Sequence, residues 1–89
     1  MTDFEACACP LCDAEAAGRE WEARSELKCL NCGHYSISHD AARVLDALSA
    51  AGRAVVTDVL RDHLKGLHAF APCPLILETD VRVAAGRVA

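Results

Sequence analysis

Eighty-nine residues with 53% hydrophobic and 25% charged content make one small folded domain. A chain this short buries only about 60% of its extended surface, so it gains stability from a metal or a partner. Thirteen acidic against nine basic side chains give a formal charge of −4 without a basic cluster, so nucleic acid is reachable only through a localised basic face.

Four aromatic residues, Phe4, Trp21, Tyr35 and Phe70, leave a core that is small and mostly aliphatic. Residues 1–8 read as a loose lead-in, with Phe4 as a cap on the adjoining cysteine-rich segment. The opening Thr2-Asp3-Phe4-Glu5 has no basic or apolar leader character, which points to a reducing, cytoplasmic setting. No apolar run approaches membrane-spanning length, so no membrane association is expected.

Cys9-Pro10-Leu11-Cys12 is answered by Cys29-Leu30-Asn31-Cys32-Gly33 after 16 intervening residues. Two Cys-x2-Cys pairs at this distance predict a closed tetrahedral site for one structural Zn²⁺, with Cys9, Cys12, Cys29 and Cys32 as ligands. The loop amides of a knuckle are expected to point at its second sulfur. Cys7 stands close enough to Cys12 to compete with Cys9, although the two-residue spacing favours Cys9. Between the pairs, Asp13–Gly18 reads as the exit from the first knuckle. Trp21, Ala23 and Leu27 among charged residues suit a two-stranded hairpin turning near Arg24–Glu26, with Trp21 covering the small core or serving as an exposed recognition ring. Gly33 permits the positive φ that lets the chain leave the second knuckle as a strand, His34–Ile37, with Tyr35 and Ile37 on one face. His34 fits a residue that faces solvent or supports the ligands from behind better than a ligand itself.

Knuckle, hairpin, knuckle and third strand over about Cys9–Ile37 resemble the zinc ribbon family. The resemblance carries the four cysteines onto the metal-ligand positions and Gly33 onto the turn residue after the second pair. It implies metal binding and leaves the activity open, because ribbons serve transcription factors, ribosomal proteins, nucleic-acid enzymes and adaptors. Rubredoxin-like iron uses similar paired knuckles, which keeps electron transfer as a minor alternative.

Ser38 is a good N-cap for a helix over residues 39–51, with Ala41, Val44, Leu45 and Leu48 on one stripe. Gly52 is expected to break it. A second helix, residues 53–65, comes next with Val56, Val59, Leu60 and Leu64, ending near Gly66, so a helical hairpin over residues 39–67 should pack on the ribbon of residues 1–38. Arg53, Thr57, Arg61 and Lys65 repeat every four residues. They form a solvated face or, in the alternative reading, a nucleic-acid contact; Asp58 and Asp62 beside them argue for the former. His63 and His68 read as ordinary helix and loop residues.

Residues 68–89 are expected to form a connector, broken by Pro72 and Pro74, and a terminal strand over Leu75–Val83. That strand should add to the ribbon's sheet or pair with its counterpart in a second copy. The closing Gly86–Ala89 should fray, and Cys73 reads as a partly buried free thiol. The fold class expected is therefore small α+β: a four-cysteine zinc ribbon, a helical hairpin and a C-terminal β-strand. No nucleophile–base pair, phosphate loop or open metal site is recognisable, so the expectation is a non-enzymatic structural-zinc protein that binds a protein partner or itself.

Overall fold

The computed structural model describes residues 3–86. Strands β1 (Glu5–Ala8), β2 (Glu15–Glu20), β3 (Arg24–Cys29) and β4 (Gly33–Ser38) precede helices α1 (His39–Ala47) and α2 (Ala50–Leu67). A two-residue strand β5 (Leu75–Ile76) and helix α3 (Glu78–Gly86) complete a small mixed α+β fold. The five strands lie in sequence order in one sheet, antiparallel except for the parallel β4–β5 pair. Among the described residues, no helix is long and apolar enough to cross a membrane.

The sheet's two faces arise from the period-2 alternation of side chains. Cross-strand partners Leu27 and Tyr35, with Ile37 and Cys29, lie on the buried face. Partners Glu26 and Ser36 lie on the other. Helical residues Leu45, Val56, Leu60, Leu64 and Val81 close the core over the first face, together with Ile76.

The structure corrects several expectations. The lead-in is partly strand: β1 pairs with β2 from Glu5↔Gly18 to Ala8↔Glu15. Glu15–Gly18 has little strand propensity of its own, but the ladders on both sides of β2 supply its backbone partners, and tertiary context overrides composition. Gly18 leaves room for its neighbours there: a Cβ would lie 2.8 Å from Leu27 Cδ1 and 2.9 Å from Cys7 Sγ, and those side-chain ends would have to shift. The hairpin turns at Trp21–Ala23 rather than Arg24–Glu26, closed by the Trp21 amide donating to the Arg24 carbonyl at 2.8 Å. Trp21 therefore sits at the end of the hairpin remote from the Cys29 end, half-exposed, and does not cover the core. Phe4 is not a cap on the cysteines; it lies against two cations, 4.5 Å from the Arg19 guanidinium and 4.4 Å from Lys28 Nζ.

The first helix begins as expected, the Ser38 hydroxyl accepting from the Ala41 amide at 3.1 Å. It ends earlier, at Ala47, because Ser49 starts a new helix by accepting from the Gly52 amide at 3.2 Å. Gly52 thus lies inside the first turn of α2, where a serine cap outweighs the glycine's poor helix propensity. The two helices do not close on each other as a hairpin; α3 packs against both.

The expected strand Leu75–Val83 survives only as Leu75–Ile76. From Glu78 the chain is helical: Asp80 Oδ2 accepts from the Leu77 amide at 2.8 Å, acidic Glu78 and Asp80 sit in the first turn, and Arg82 pairs with Glu78 one turn back at 2.8 Å. Val81 and Ala84, three apart, face the core, while Val83 points outward. Pairing of two copies through a long terminal strand therefore has no strand to use. Of the closing segment expected to fray, Gly86 ends α3 and residues 87–89 lie outside the described residues.

Candidate metal centre

The sulfurs of Cys9, Cys12, Cys29 and Cys32 lie within 4.8 Å of one another. Cys9 Sγ is 3.9 Å from Cys32 Sγ, and Cys12 Sγ is 3.5 Å from Cys29 Sγ. A tetrahedral zinc–thiolate site, with bonds of about 2.3 Å, requires sulfur–sulfur edges of about 3.8 Å. The donor set and its spacing fit that ion. Cys9 is fully buried in the cluster, whereas Cys7 is exposed on β1, outside it.

Local geometry explains the convergence. In the first knuckle the Cys9 amide donates to the Ala14 carbonyl, and the Asp13 amide to the Cys9 carbonyl, both at 2.8 Å. Asp13 takes a left-handed φ of 62°, a conformation that Asp tolerates better than most residues. The Leu11 and Cys12 amides point at Cys9 Sγ and the Ala14 amide at Cys12 Sγ. Loop donors thus serve the first sulfur as well as the second, more widely than expected. Burial pushes the Cys9 and Cys32 thiols up from their ordinary range. At Cys12, burial is outweighed by the Ala14 amide and by hydrogen bonds from Cys29, Cys32 and Cys9, which bring its thiol down to about 7. A bound cation would stabilise all four thiolates and displace their protons.

Further side chains hold this arrangement. The buried Tyr35 hydroxyl lies 3.0 Å from Cys9 Sγ, and Asn31 Nδ2 lies 3.9 Å from Cys12 Sγ. Burial and the adjoining Cys9 push the Tyr35 phenol well above its usual range, keeping it a donor. Helix α2 braces both knuckles. Near its start, Arg53 Nη2 donates to the Pro10 carbonyl at 2.8 Å; at its end, His68 Nε2 bonds the His34 carbonyl at 2.8 Å. His68 had no role legible in the sequence, because its partner is 34 residues away.

Gly33 has the expected positive φ, 88°, and a Cβ there would fall 2.7 Å from His68 Cε1. Gly33→Ala is expected to lower stability by at least about 1–2 kcal/mol through the left-handed backbone alone, before any displacement of His68. A shift of the urea midpoint measures it, and an unchanged midpoint contradicts it.

The stripe Arg53, Thr57, Arg61 and Lys65 is divided by the fold. Thr57 is buried, and Arg53 is bound to Pro10 and Asp46. Arg53, Thr57 and Arg61 line a cleft with Leu11, Cys12 and Asp13 of the first knuckle. Thr57 Oγ1 and Arg61 Nε are buried there without a protein partner among the described residues. Only Lys65 of the four is exposed.

The opposite face of the sheet carries a second polar group that sequence reasoning missed. Arg19 Nε and Trp21 Nε1 donate to Glu26 Oε1 at 2.9 and 3.1 Å, while His34 Nε2 meets Glu26 Oε2. Burial opposes ionisation of Glu26, yet His34, Arg19 and Trp21 together hold its carboxyl down at about 2, against an ordinary 4.5. A depressed carboxyl stabilises the fold above its ordinary value and loses that contribution as pH falls towards the folded one. Glu26→Gln is expected to be less stable than the native chain at neutral pH, with the gap closing between about pH 4.5 and about 2. Parallel denaturation curves across that window test it, and a constant gap contradicts it.

Comparison of the chain with protein-family models, curated proteins and solved structures gives no match. The class of protein defined here is a small α+β chain in which four clustered cysteines could hold a metal ion.

Proposed function

We propose that the chain is a structural-zinc protein of the zinc-ribbon type that acts as a protein-interaction or adaptor module in a reducing, cytoplasmic setting, where its thiols stay reduced. Four thiolates around one zinc leave no coordination position for substrate or activated water, so the metal's role is to hold the fold. The observation that carries the interaction reading is a surface cleft of about 630 Å³ in which Trp21, Leu75 and Leu77, each more than 40% exposed, come together. Clustered exposed apolar side chains mark contact surfaces more often than isolated ones do, and tryptophan is a frequent anchor in such contacts.

Contact with nucleic acid draws little support from the placement of Arg53 and Thr57, one engaged by the knuckle and the other buried. The electron-carrier reading is separated by colour, since ferric tetrathiolate absorbs in the visible and zinc does not. Size measurement by sedimentation, with affinity capture, tests the interaction reading. The expected result is a second copy or a specific protein retained by the native chain and lost on Trp21→Ser combined with Leu77→Ser. A strict monomer that captures nothing contradicts it.

A further inference from the structure

Glu26 of β3, His34 of β4 and Cys73 of the connector bring a carboxylate oxygen, an imidazole nitrogen and a sulfur within 4.8 Å of one another on the sheet face opposite the core. We propose that these three residues form a second, open zinc site, separate from the four-cysteine centre.

The backbone fixes all three donors. Glu26 and Ser36 are direct cross-strand partners, and His34 stands two residues from Ser36 on the same face of β4. The connector is pinned beside them because the Ser36 amide donates to the Pro74 carbonyl at 2.8 Å and Ser36 pairs with Leu75. That places Cys73 Sγ 3.4 Å from the Ser36 hydroxyl. The donors are also oriented. Arg19 and Trp21 both occupy Glu26 Oε1, leaving Oε2 turned to His34. Carboxylate ligands are commonly steadied in this way through the oxygen that does not bind the metal. The salt bridge to Arg19 and the contact with His34 would account for the buried carboxylate, but neither requires a thiol at the same point.

Sulfur, nitrogen and oxygen donors together suit Zn²⁺, and three protein ligands leave a fourth position free, unlike the closed four-thiolate centre. That position adjoins a cleft of about 370 Å³ lined by Arg24, Glu26, Ser36, Cys73 and Leu75. On binding, the Cys73 thiol releases its proton to solvent. Any proton on His34 Nε2 passes to Nδ1 where that nitrogen is free of one and otherwise to solvent, so that Nε2 and Glu26 Oε2 exchange their mutual contact for the metal. Arg19 keeps its place on Oε1.

Native mass spectrometry of the full chain titrated with Zn²⁺ tests the site. The expected stoichiometry is two ions per native chain in excess zinc, falling to one in Cys73→Ser and in His34→Gln, with circular dichroism unchanged. Should His34→Gln fail to fold, Cys73→Ser alone decides. Saturation of the native chain at one ion, or a second ion that persists in either folded variant, would overturn the proposal. The first ion reports the four-cysteine centre independently, so failure of one site is not read as failure of the other.

Discussion

Stripping the metal with a chelator, or replacing Cys29 by serine, is expected to unfold the chain rather than loosen one end of it. Three of the four cysteines, Cys9, Cys29 and Cys32, belong to the same buried cluster as Leu27, Tyr35 and Ile37. The four sulfurs converge within 4.8 Å of one another in a largely buried site, where a bound cation would offset the repulsion among their thiolates and tie the two knuckles together. Structural zinc contributes about 10–16 kcal/mol in small peptides, comparable with the whole stability of an ordinary domain. Because Arg53 and His68 tie α2 to the two knuckles, the helices should lose order with the strands. Far-UV circular dichroism should fall towards the unfolded signal and recover on return of zinc. A spectrum unchanged by chelation would contradict this.

Val81→Asp is expected to destabilise the chain by about 3–5 kcal/mol, the cost of an uncompensated charge in the core, whereas Val83→Asp should change stability by no more than about 0.5 kcal/mol. In a strand, residues 81 and 83 would share a face and respond alike. In α3, Val81 is fully buried between α1 and α2, and Val83 is 59% exposed. The contrast between the two variants therefore reports the element itself. Denaturant midpoints measure it, and equal losses would contradict the helix.

Residues whose structure depends on near neighbours were legible. Two cysteines with two residues between them define a knuckle, Ser38 caps the next helix, and Gly33 takes the positive φ its position requires. What escaped depends on distant partners. Glu15–Gly18 becomes a strand because neighbours on both sides need its backbone, and no local propensity announces that. Leu75–Val83 alternates apolar and polar residues as a strand does, but the Asp80 carboxylate capping the Leu77 amide and the buried Val81–Ala84 spacing turn it into a helix. Gly52 looked like a break, whereas the break belongs to Ser49. The four-cysteine centre was readable from spacing alone. The Glu26–His34–Cys73 group was not, since its members come from three separate segments joined only by strand register and the Ser36–Pro74 bond.

Extended X-ray absorption at the zinc edge, on protein carrying one equivalent of zinc, tests the central claim most directly. The predicted first shell is four sulfurs at about 2.3 Å, with one sulfur lost in Cys29→Ser should that variant still hold metal. A shell containing nitrogen or oxygen in the native chain, or protein that folds without retaining zinc, would contradict it.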